Sequence, residues 1–495
     1  MAFINLEKDL IYFKQKSNVM YRNYGSFGYI TDNRNFGYKL ANDDGNYIGD
    51  KIVSESGAIF LSVLDRKPQS IGELAKKLFE HFTDADIETI LRDAIEFYSS
   101  LEKDGFITSG KTPQECIEKD SGFSYNSILS ENWCHIHKSK KEIENTSQEY
   151  FDKYFEHRPQ LLSLHIEISS KCNERCVHCY IPHEKKIAIM APQMFYDILK
   201  QGMKLNLLNV IISGGEPMIH KNFMDFLRKC NEYNLSVNVL SNLTLLNQDI
   251  VKEMKCNPLL SVQTSLYSMD YRIHDAITGA TGSFQKTRAA ILNLVENDIP
   301  VQISCPIMKQ NADCYKEVIA WGKSHNINVN SDYVIIGKYD HTTQNLVCRL
   351  SMDDIEQIII KNIEDNPQYI ESMEKEYDIK KNLHPNDYLC SVCYSSICIS
   401  ETGNVYPCAG WQNCVIANIN DTRLSDIWTS KKVDYLRNIR RKDIPECIRC
   451  KEKDFCTPCM VRNANESPVG NPLEPNNFFC NIARLKKRLF LKMQI

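Results

Sequence analysis

Cys172, Cys176 and Cys179 stand as C-x3-C-x2-C in a chain of 495 residues, and Tyr180 follows at once. Thiolates are soft ligands, suited to zinc or to iron–sulfur clusters. Structural zinc takes four protein ligands in a closed tetrahedron. Three thiolates on a [4Fe-4S] cube leave one iron without a protein ligand. That iron can chelate a small molecule, which turns an electron carrier into a catalyst. The competing reading of the same spacing is three unrelated buried cysteines or a zinc knuckle.

The residues before the trio, Leu161–Ile168 (LLSLHIEI), read as a strand. A second strand-like run, Leu207–Ser213 (LLNVIIS), ends in Gly214-Gly215-Glu216-Pro217. Glycines let a backbone approach a ligand closely and take torsions that other residues avoid. Alone, the tetrad is a turn before a helix. At a strand end about 35 residues beyond the trio, it resembles the GGEP stretch of radical S-adenosyl-L-methionine (SAM) enzymes. The resemblance implies that Cys172, Cys176 and Cys179 hold a SAM-chelating [4Fe-4S] cluster, with Tyr180 beside it. It sets Gly214, Gly215, Glu216 and Pro217 against the SAM amino group. Ser241-Asn242 follow the third strand, where relatives hold the SAM ribose. Ser265-Leu266 end the fourth, where relatives read S-L-D-G, and His274-Asp275…Gly282-Ser283-Phe284 come next. Tyr267 replaces the usual Asp there, and Thr278 the usual Arg before Gly279. The plain alternative for each serine is a helix cap.

Strand and helix signals alternate over residues 159–345, which argues for βαβ units and a parallel sheet. Further strands are expected at Leu235–Leu240, Leu260–Leu266, Pro300–Pro306 and Val329–Ile336. Helices are expected at Pro192–Lys204, Asn222–Glu232, Phe284–Glu296 and Tyr315–Ser324. Six strands fit the α/β, TIM-like partial (β/α)6 barrel of radical SAM enzymes, with chemistry at the C-terminal strand ends.

The rest of the chain frames this barrel. Residues 1–108 read as a small α+β, winged-helix unit. Its strands are expected at Ser26–Thr31, Phe36–Leu40 and Tyr47–Asp50, its helices at Ser54–Leu64, Ile71–Phe82 and Asp84–Lys103. This unit resembles the PqqD-like RiPP recognition element, on Ala58–Leu64, Ser70-Ile71-Gly72-Glu73-Leu74 and Leu101–Ile107. Such modules bind the leader of a precursor peptide as an added strand; an inert winged-helix or dimerisation domain is the alternative. Residues 109–158 read as a polar linker with Cys116, Cys134, His135 and His137; the two histidines and one cysteine could bind metal, and a solvated linker is the plainer reading. Residues 346–389 form a connecting helical segment.

Ten cysteines crowd the last stretch: Cys390, Cys393, Cys398, Cys408, Cys414, Cys447, Cys450, Cys456, Cys459 and Cys480. Gly403–Cys408 gives G-x4-C, and Cys447-x2-Cys450-x5-Cys456-x2-Cys459 follows a tryptophan-bearing helix signal, Leu424–Trp428. Residues 390–495 resemble the SPASM domain, which carries two auxiliary [4Fe-4S] clusters; its dense run usually ends in x3 rather than x2. The resemblance implies an outer cluster on Cys447, Cys450, Cys456 and Cys480. It implies an inner one on Cys408 and Cys459 with Cys390 and Cys393, for either of which Cys398 is an alternative. Cys414 is left unassigned. A zinc ribbon built from the two C-x2-C pairs is the rival reading. Cys230, Cys256, Cys305, Cys314 and Cys348 lie in apolar contexts, as small core residues do.

Bulk properties agree with a metal enzyme of the cytosol. Net charge is -4, with 43% hydrophobic and 25% charged residues, which gives no nucleic-acid signature. Clustered cysteines in a reducing compartment mean metal more often than disulfides. No run is long and apolar enough to span a membrane, and the charged start MAFINLEKDLIYFKQK is no signal peptide. A cytoplasmic, oxygen-free setting is expected, with no stable membrane insertion. The basic amphipathic tail Arg484–Leu489 reads as a solvated closing helix, or as a surface for a membrane or an acidic leader.

The family resemblance implies a radical SAM peptide maturase with SAM and three [4Fe-4S] clusters. A flavodoxin- or ferredoxin-type reductant would start a 5'-deoxyadenosyl radical. That radical takes a hydrogen atom from a precursor peptide, and an auxiliary cluster accepts the surplus electron. The expected product is a thioether from cysteine sulfur to carbon, as in sactipeptides and ranthipeptides. Carbon–carbon crosslinking, epimerisation, sulfatase formylglycine maturation and a non-catalytic iron–sulfur or zinc protein are the alternatives. Sulfatase maturases carry an acidic base just after the G-x4-C cysteine, where this chain has Ala409, and they lack a leader-binding unit. The catalytic base is not assigned by sequence; Glu401 is a candidate or a solvated turn residue.

Overall fold

Alternation along one strand sets the architecture. In β7 (Ser163–Ser169), Leu164, Ile166 and Ile168 are fully buried, and Ser163, His165 and Glu167 interleave with them. Alternation recurs in β9 (Ser236–Leu240), β10 (Leu260–Ser265) and β11 (Val301–Ser304), and less strictly in β8 (Asn209–Gly214); β12 (Asn328–Asn330) is short and has no buried residue. One face of each strand joins the main core cluster under the helices Pro192–Met203, Phe223–Glu232, Gln248–Lys255, Ser283–Glu296 and Tyr315–Ser324. The other face is a polar ladder. Ser163 donates to Asn209 (2.8 Å), Asn209 to Ser236 (3.2 Å) and Gln302 to Gln263 (2.7 Å), while Ser261 pairs with Asn238 and His165 with Ser213. A filled barrel would carry branched apolar residues there.

The structure is a computed structural model that describes residues 11–33, 49–82, 84–120, 123–125, 153 and 159–493. The six strands β7–β12 pair in parallel in chain order, as expected for the partial barrel. The last is shorter than Val329–Ile336. The sheet does not stop at six strands. β13 (Ser396–Ile399) pairs in parallel with β7, and β14 (Asn404–Tyr406) and β15 (Ala417–Asn418) extend it as an antiparallel ribbon. The cysteine-rich C-terminal part therefore starts as an edge of the barrel sheet. Helices Met352–Asp365 and Pro367–Lys381 fill the connecting segment. The closing helix Asn477–Met493 buries Ile482, Leu485, Leu489 and Phe490 and pairs Arg488 with Glu356 (also through its guanidinium to the carboxylate), so its apolar face is packed on protein.

The N-terminal unit holds two three-stranded sheets. β1 (Tyr12–Gln15) pairs with β5 (Gln69–Ser70) and β6 (Ile107–Gly110); β2 (Met20–Asn23), β3 (Phe27–Thr31) and β4 (Asp50–Ser54) form the other. Its helices are Glu55–Val63, Ile71–Phe79 and Ile87–Lys103. Each starts where a side chain takes up orphan backbone donors: Ser54, the Ser70–Glu73 capping box and Asp86. Asp86 is the cap, which is why the third helix begins after Asp84. The expected strand Phe36–Leu40 and residues 47–48 lie outside the described residues, as do Cys134, His135 and His137. β1, β2, β5 and β6 were not anticipated, and β4 overlaps the expected strand Tyr47–Asp50 only at Asp50. The unit also runs past residue 108: β6 crosses that boundary, helix Pro113–Glu118 packs on it, and Asp120 pairs with Lys14. Beyond it, Tyr125 is buried against the barrel and accepts from Val301 N at 2.9 Å. Among the described residues no helix is long and apolar enough to cross a membrane.

This unit is fastened to the start of the barrel strands, opposite the cysteine trio. Met20, Phe27 and Tyr29 pack on Leu162, Leu208 and Leu259. The Arg22 guanidinium, held down to about 10 by burial, donates to Leu207 O and Asn234 O at 2.9 Å each. Arg22→Ala strands those carbonyls and is expected to cost about 2 kcal/mol. Hydrogen exchange of the full chain should show β2 and the barrel floor opening first; unchanged protection there would refute this role.

Candidate functional site

β7 slips register between Glu167 and Ser169, a bulge that redirects the chain into the cysteine loop. The loop is then held from two sides. Arg175 N donates to Thr278 O (2.8 Å) and Val177 N to Ile277 O (2.9 Å). Asp275 secures that neighbouring turn, accepting from Gly282 N (2.6 Å) and Phe284 N (2.9 Å). The His274-Asp275…Gly282-Ser283-Phe284 phrase thus supports the loop through backbone. Tyr267, where Asp was expected, is buried with its ring edge-on to His178 inside the loop. Ser265, two residues past Gln263, hydrogen-bonds Tyr267, and the Gln263 carbonyl accepts from Ser241 N at 3.1 Å.

From the other side comes the glycine pair. Gly214 has φ +138°, and a Cβ there would sit 1.9 Å from Ser169 O. A Cβ on Gly215 would sit 2.4 Å from Lys171 O. The space is filled by hydrogen bonds instead, Gly215 N to Ser169 O (2.6 Å) and Glu216 N to Lys171 O (2.9 Å). The glycines are required by the backbone that leads into Cys172. Pro217 then starts a short turn over Pro217–Ile219. Glu216 is buried, and burial pushes its carboxyl up to about 7. It accepts from Ser241 Oγ (2.8 Å), Asn242 N (2.8 Å) and Met218 N (2.9 Å). Asn242 reaches on to Asn173, between Cys172 and Cys176, at 3.0 Å. Glu216, Ser241, Asn242 and the trio are therefore one network.

The chemistry of the donor set fits an iron–sulfur cluster. Burial pushes Cys172 up to about 11, and Cys176 rises for the same reason, with Glu174, Cys179 and Cys172 adding like charge. Dry, crowded thiols become thiolates when a cationic centre binds them. Glu174, missed by sequence, is pushed up to about 7 by burial, and its buried Oε1 has no hydrogen-bond partner. His178 Nδ1 is likewise buried without one.

In the C-terminal part, Cys447, Cys450, Cys456 and Cys480 face one another, each thiol raised by burial. Cys447 lies in helix Pro445–Arg449, which Cys450 ends; Cys456 follows the turn Lys453–Phe455, and Cys480 comes from the closing helix. Cys390, Cys408 and Cys459 form a second group. Cys393 joins it, facing Cys414, Cys390 and Cys408, so Cys414 belongs to this neighbourhood. Cys398 stands elsewhere, on β13 against Glu167, Cys408 and Glu401. Among the described residues every cysteine is free, and no three ligating side chains converge as a single-ion site requires. Cys230, Cys305 and Cys348 are buried as expected; Cys256 is exposed and Cys314 half-buried.

Tyr180 turns away from Glu216 toward the seam between barrel and C-terminal part. Its hydroxyl lies 3.4 Å from Glu167 Oε1, and Gln412 Nε2 donates to Glu167 Oε2 at 2.6 Å. Glu167 was not singled out by sequence, although it is the one charge within LLSLHIEI.

With this geometry in view, residues 166–322 match the model of the Radical SAM superfamily. Residues 390–451 match the SPASM iron-sulfur cluster-binding domain. The antilisterial bacteriocin subtilosin biosynthesis protein AlbA of Bacillus subtilis is 24% identical over 320 residues, 62% of this chain and 69% of AlbA. The AdoMet-dependent heme synthase of Methanosarcina barkeri is 23% identical over 326 residues, covering 60% of this chain and 90% of that enzyme. Streptococcus suis SuiB bound to precursor peptide SuiA superposes with TM-score 0.58 at 17% identity, over 93% of this chain and 98% of SuiB. The anSMEcpe chain with bound AdoMet and Cp18Cys peptide gives TM-score 0.52 at 20% identity, over 67% of this chain and 97% of that one.

Gly214→Ala forces its new methyl into Ser169 O and is expected to displace the trio. Iron bound after anaerobic reconstitution should fall by about a third, the share of one four-iron cluster in three. Full iron content in a folded Gly214→Ala protein would refute this role.

Proposed function

We propose that this chain, a radical SAM barrel joined to a SPASM iron–sulfur domain with SAM and [4Fe-4S] clusters as cofactors, oxidatively modifies a ribosomally made precursor peptide. The observation that carries the reading is the grouping of thiols: one loop of three beside a polar sheet face, and two groups of four beyond it. A three-thiol cluster binds and reduces SAM to supply hydrogen-abstracting power, and further clusters supply a route for electrons. The chain's own residues do the placing. Cys172, Cys176 and Cys179 hold the first cluster; Glu216, Ser241 and Asn242, with the backbone at Gly215, present acceptors and donors at its rim.

Cys390, Cys393, Cys408 and Cys459, and Cys447, Cys450, Cys456 and Cys480, would hold two auxiliary clusters. They suit removal of a second electron from the substrate, hence net oxidation. Relatives named as a bacteriocin biosynthesis protein, a mycofactocin maturase and a sporulation killing factor maturation protein support a peptide substrate. A thioether between cysteine sulfur and carbon is the product we favour, ahead of a carbon–carbon crosslink or an epimerised residue. Sulfatase-type maturation is disfavoured by Ala409, and the anSMEcpe chain leaves a third of this chain unmatched where SuiB does not.

The N-terminal unit acts as a PqqD-like recognition element. β2 is tied to the barrel by Arg22, so the leader adds along the outer edge of β4, beside helix Ile87–Lys103. The modified segment then reaches the opposite end of the barrel. A flavodoxin- or ferredoxin-type protein supplies electrons in the cytoplasm.

Reconstituted protein is expected to hold about twelve irons and to cleave SAM to 5'-deoxyadenosine; Cys172→Ala should abolish cleavage. A co-expressed precursor should lose two hydrogens per crosslink by mass spectrometry. Zinc in place of iron, with no SAM turnover, would overturn the proposal.

A further inference from the structure

The oxidation of a peptide has a proton to dispose of, and the SPASM turn that carries Cys408 offers Ala409 and no acid. Glu167 is placed to take that proton. It lies on the polar face of β7, one step before the bulge that opens into the cysteine loop. It is 3% exposed and lies where the first cluster's loop meets the inner thiol group. Tyr180, next to Cys179, approaches one carboxylate oxygen at 3.4 Å, and Gln412, four residues past Cys408, donates to the other at 2.6 Å. Both are half-buried, so the carboxylate is one side chain away from the open side of the seam. Tyr339, Tyr406, Cys398 and Glu401 complete its surroundings. The one charge that registers on it, Glu401, is of like sign.

We infer that Glu167 is the general base of the reaction, receiving the proton released when the peptide is oxidised. The inference rests on the peptide-oxidation reading above. For a thioether, the substrate S–H and C–H bonds break and an S–C bond forms. The hydrogen atom leaves to the SAM-derived acceptor, one electron reduces an oxidised auxiliary [4Fe-4S] cluster, and one proton passes to the Glu167 carboxylate. Atoms and electrons then balance. Glu401 lies close enough to raise Glu167, and Tyr180 and Gln412 orient the Glu167 carboxylate.

Burial first, and Glu401 second, push the Glu167 carboxyl up to about 8. A base must be ionised to act. Product formed per SAM cleaved should therefore rise with pH and level off above about 8.

The test uses the reconstituted full chain with its precursor peptide, comparing wild type, Glu167→Gln and Glu167→Asp. Glu167→Gln keeps the shape and an acceptor oxygen for Gln412, while its amide NH2 faces the Tyr180 hydroxyl, which can accept. It should keep SAM cleavage within about twofold yet lower crosslinked peptide per SAM by 100-fold or more, within the usual range for a lost general base. Glu167→Asp should recover part of that and shift the pH profile. Infrared difference spectra of wild type minus Glu167→Gln, on reconstituted and metal-free full chain, should show a protonated-carboxyl band that fades as pH passes about 8. Wild-type crosslinking with an undiminished product ratio in Glu167→Gln, or a wild-type product ratio that stays flat across the pH range in which the Glu167 carboxyl band fades, overturns the assignment. Failure of wild type to modify any peptide while cleaving SAM would instead sink the functional reading beneath it.

Discussion

Two stretches of main chain meet at the C-terminal end of the sheet with no side chain between them. Gly214 and Gly215 lie so close to Ser169 and Lys171 that even a methyl group would collide with carbonyl oxygen. Hydrogen bonds from Gly215 N and Glu216 N take up that proximity. The contact fixes where β7 turns into the cysteine loop, and it carries Glu216 under Ser241 and Asn242. The trio, the carboxylate beside it and the rim of the sheet therefore share one geometry. A side chain at either glycine would separate them, because packed backbone cannot yield as a flexible side chain can.

Electrostatics follow from the same closeness. Glu216, Glu174 and Glu167 are all buried acids, and burial raises each of them. Buried thiols on both sides are raised as well. Charged forms are costly in such an interior unless a positive centre or donor pays for them. Iron held by these thiols would supply that positive charge there. At Glu216 three donors do it; at Glu167 there are two, one of them long.

The seam between barrel and SPASM domain is a shared sheet. β13 pairs with β7 over Ser396–Ile399, so the strand that leads to the trio also carries the start of the auxiliary-cluster field. Glu167 and Cys398 face one another because of that register. At the far end, Arg22 and the Met20–Leu208 cluster set the N-terminal unit under the strand starts. The proposed reading, with recognition at one end and chemistry at the other, requires a substrate long enough to span the barrel.

Local patterns were readable from residues alone. C-x3-C-x2-C places three thiols on one loop whatever surrounds it, and Ser70-x-x-Glu73 announces a helix start. Period-two alternation and helix periodicity marked the first five parallel strands and four of the helices between strands within a few residues, while the sixth strand stops well short of Ile336 and helices Gln248–Lys255 and Tyr271–Thr278 were missed. The grouping of Cys447, Cys450, Cys456 and Cys480 followed from a family resemblance. Short strands such as β1 and β6 escaped, since four residues carry too little period and their pairing is distant in the chain. The purpose of Gly214 and Gly215 toward Ser169, the company of Cys414 and the position of Glu167 were decided by tertiary structure. Each depends on sheet register and on which side chains share a dry space, and those are relations between residues far apart in sequence that no local spacing encodes.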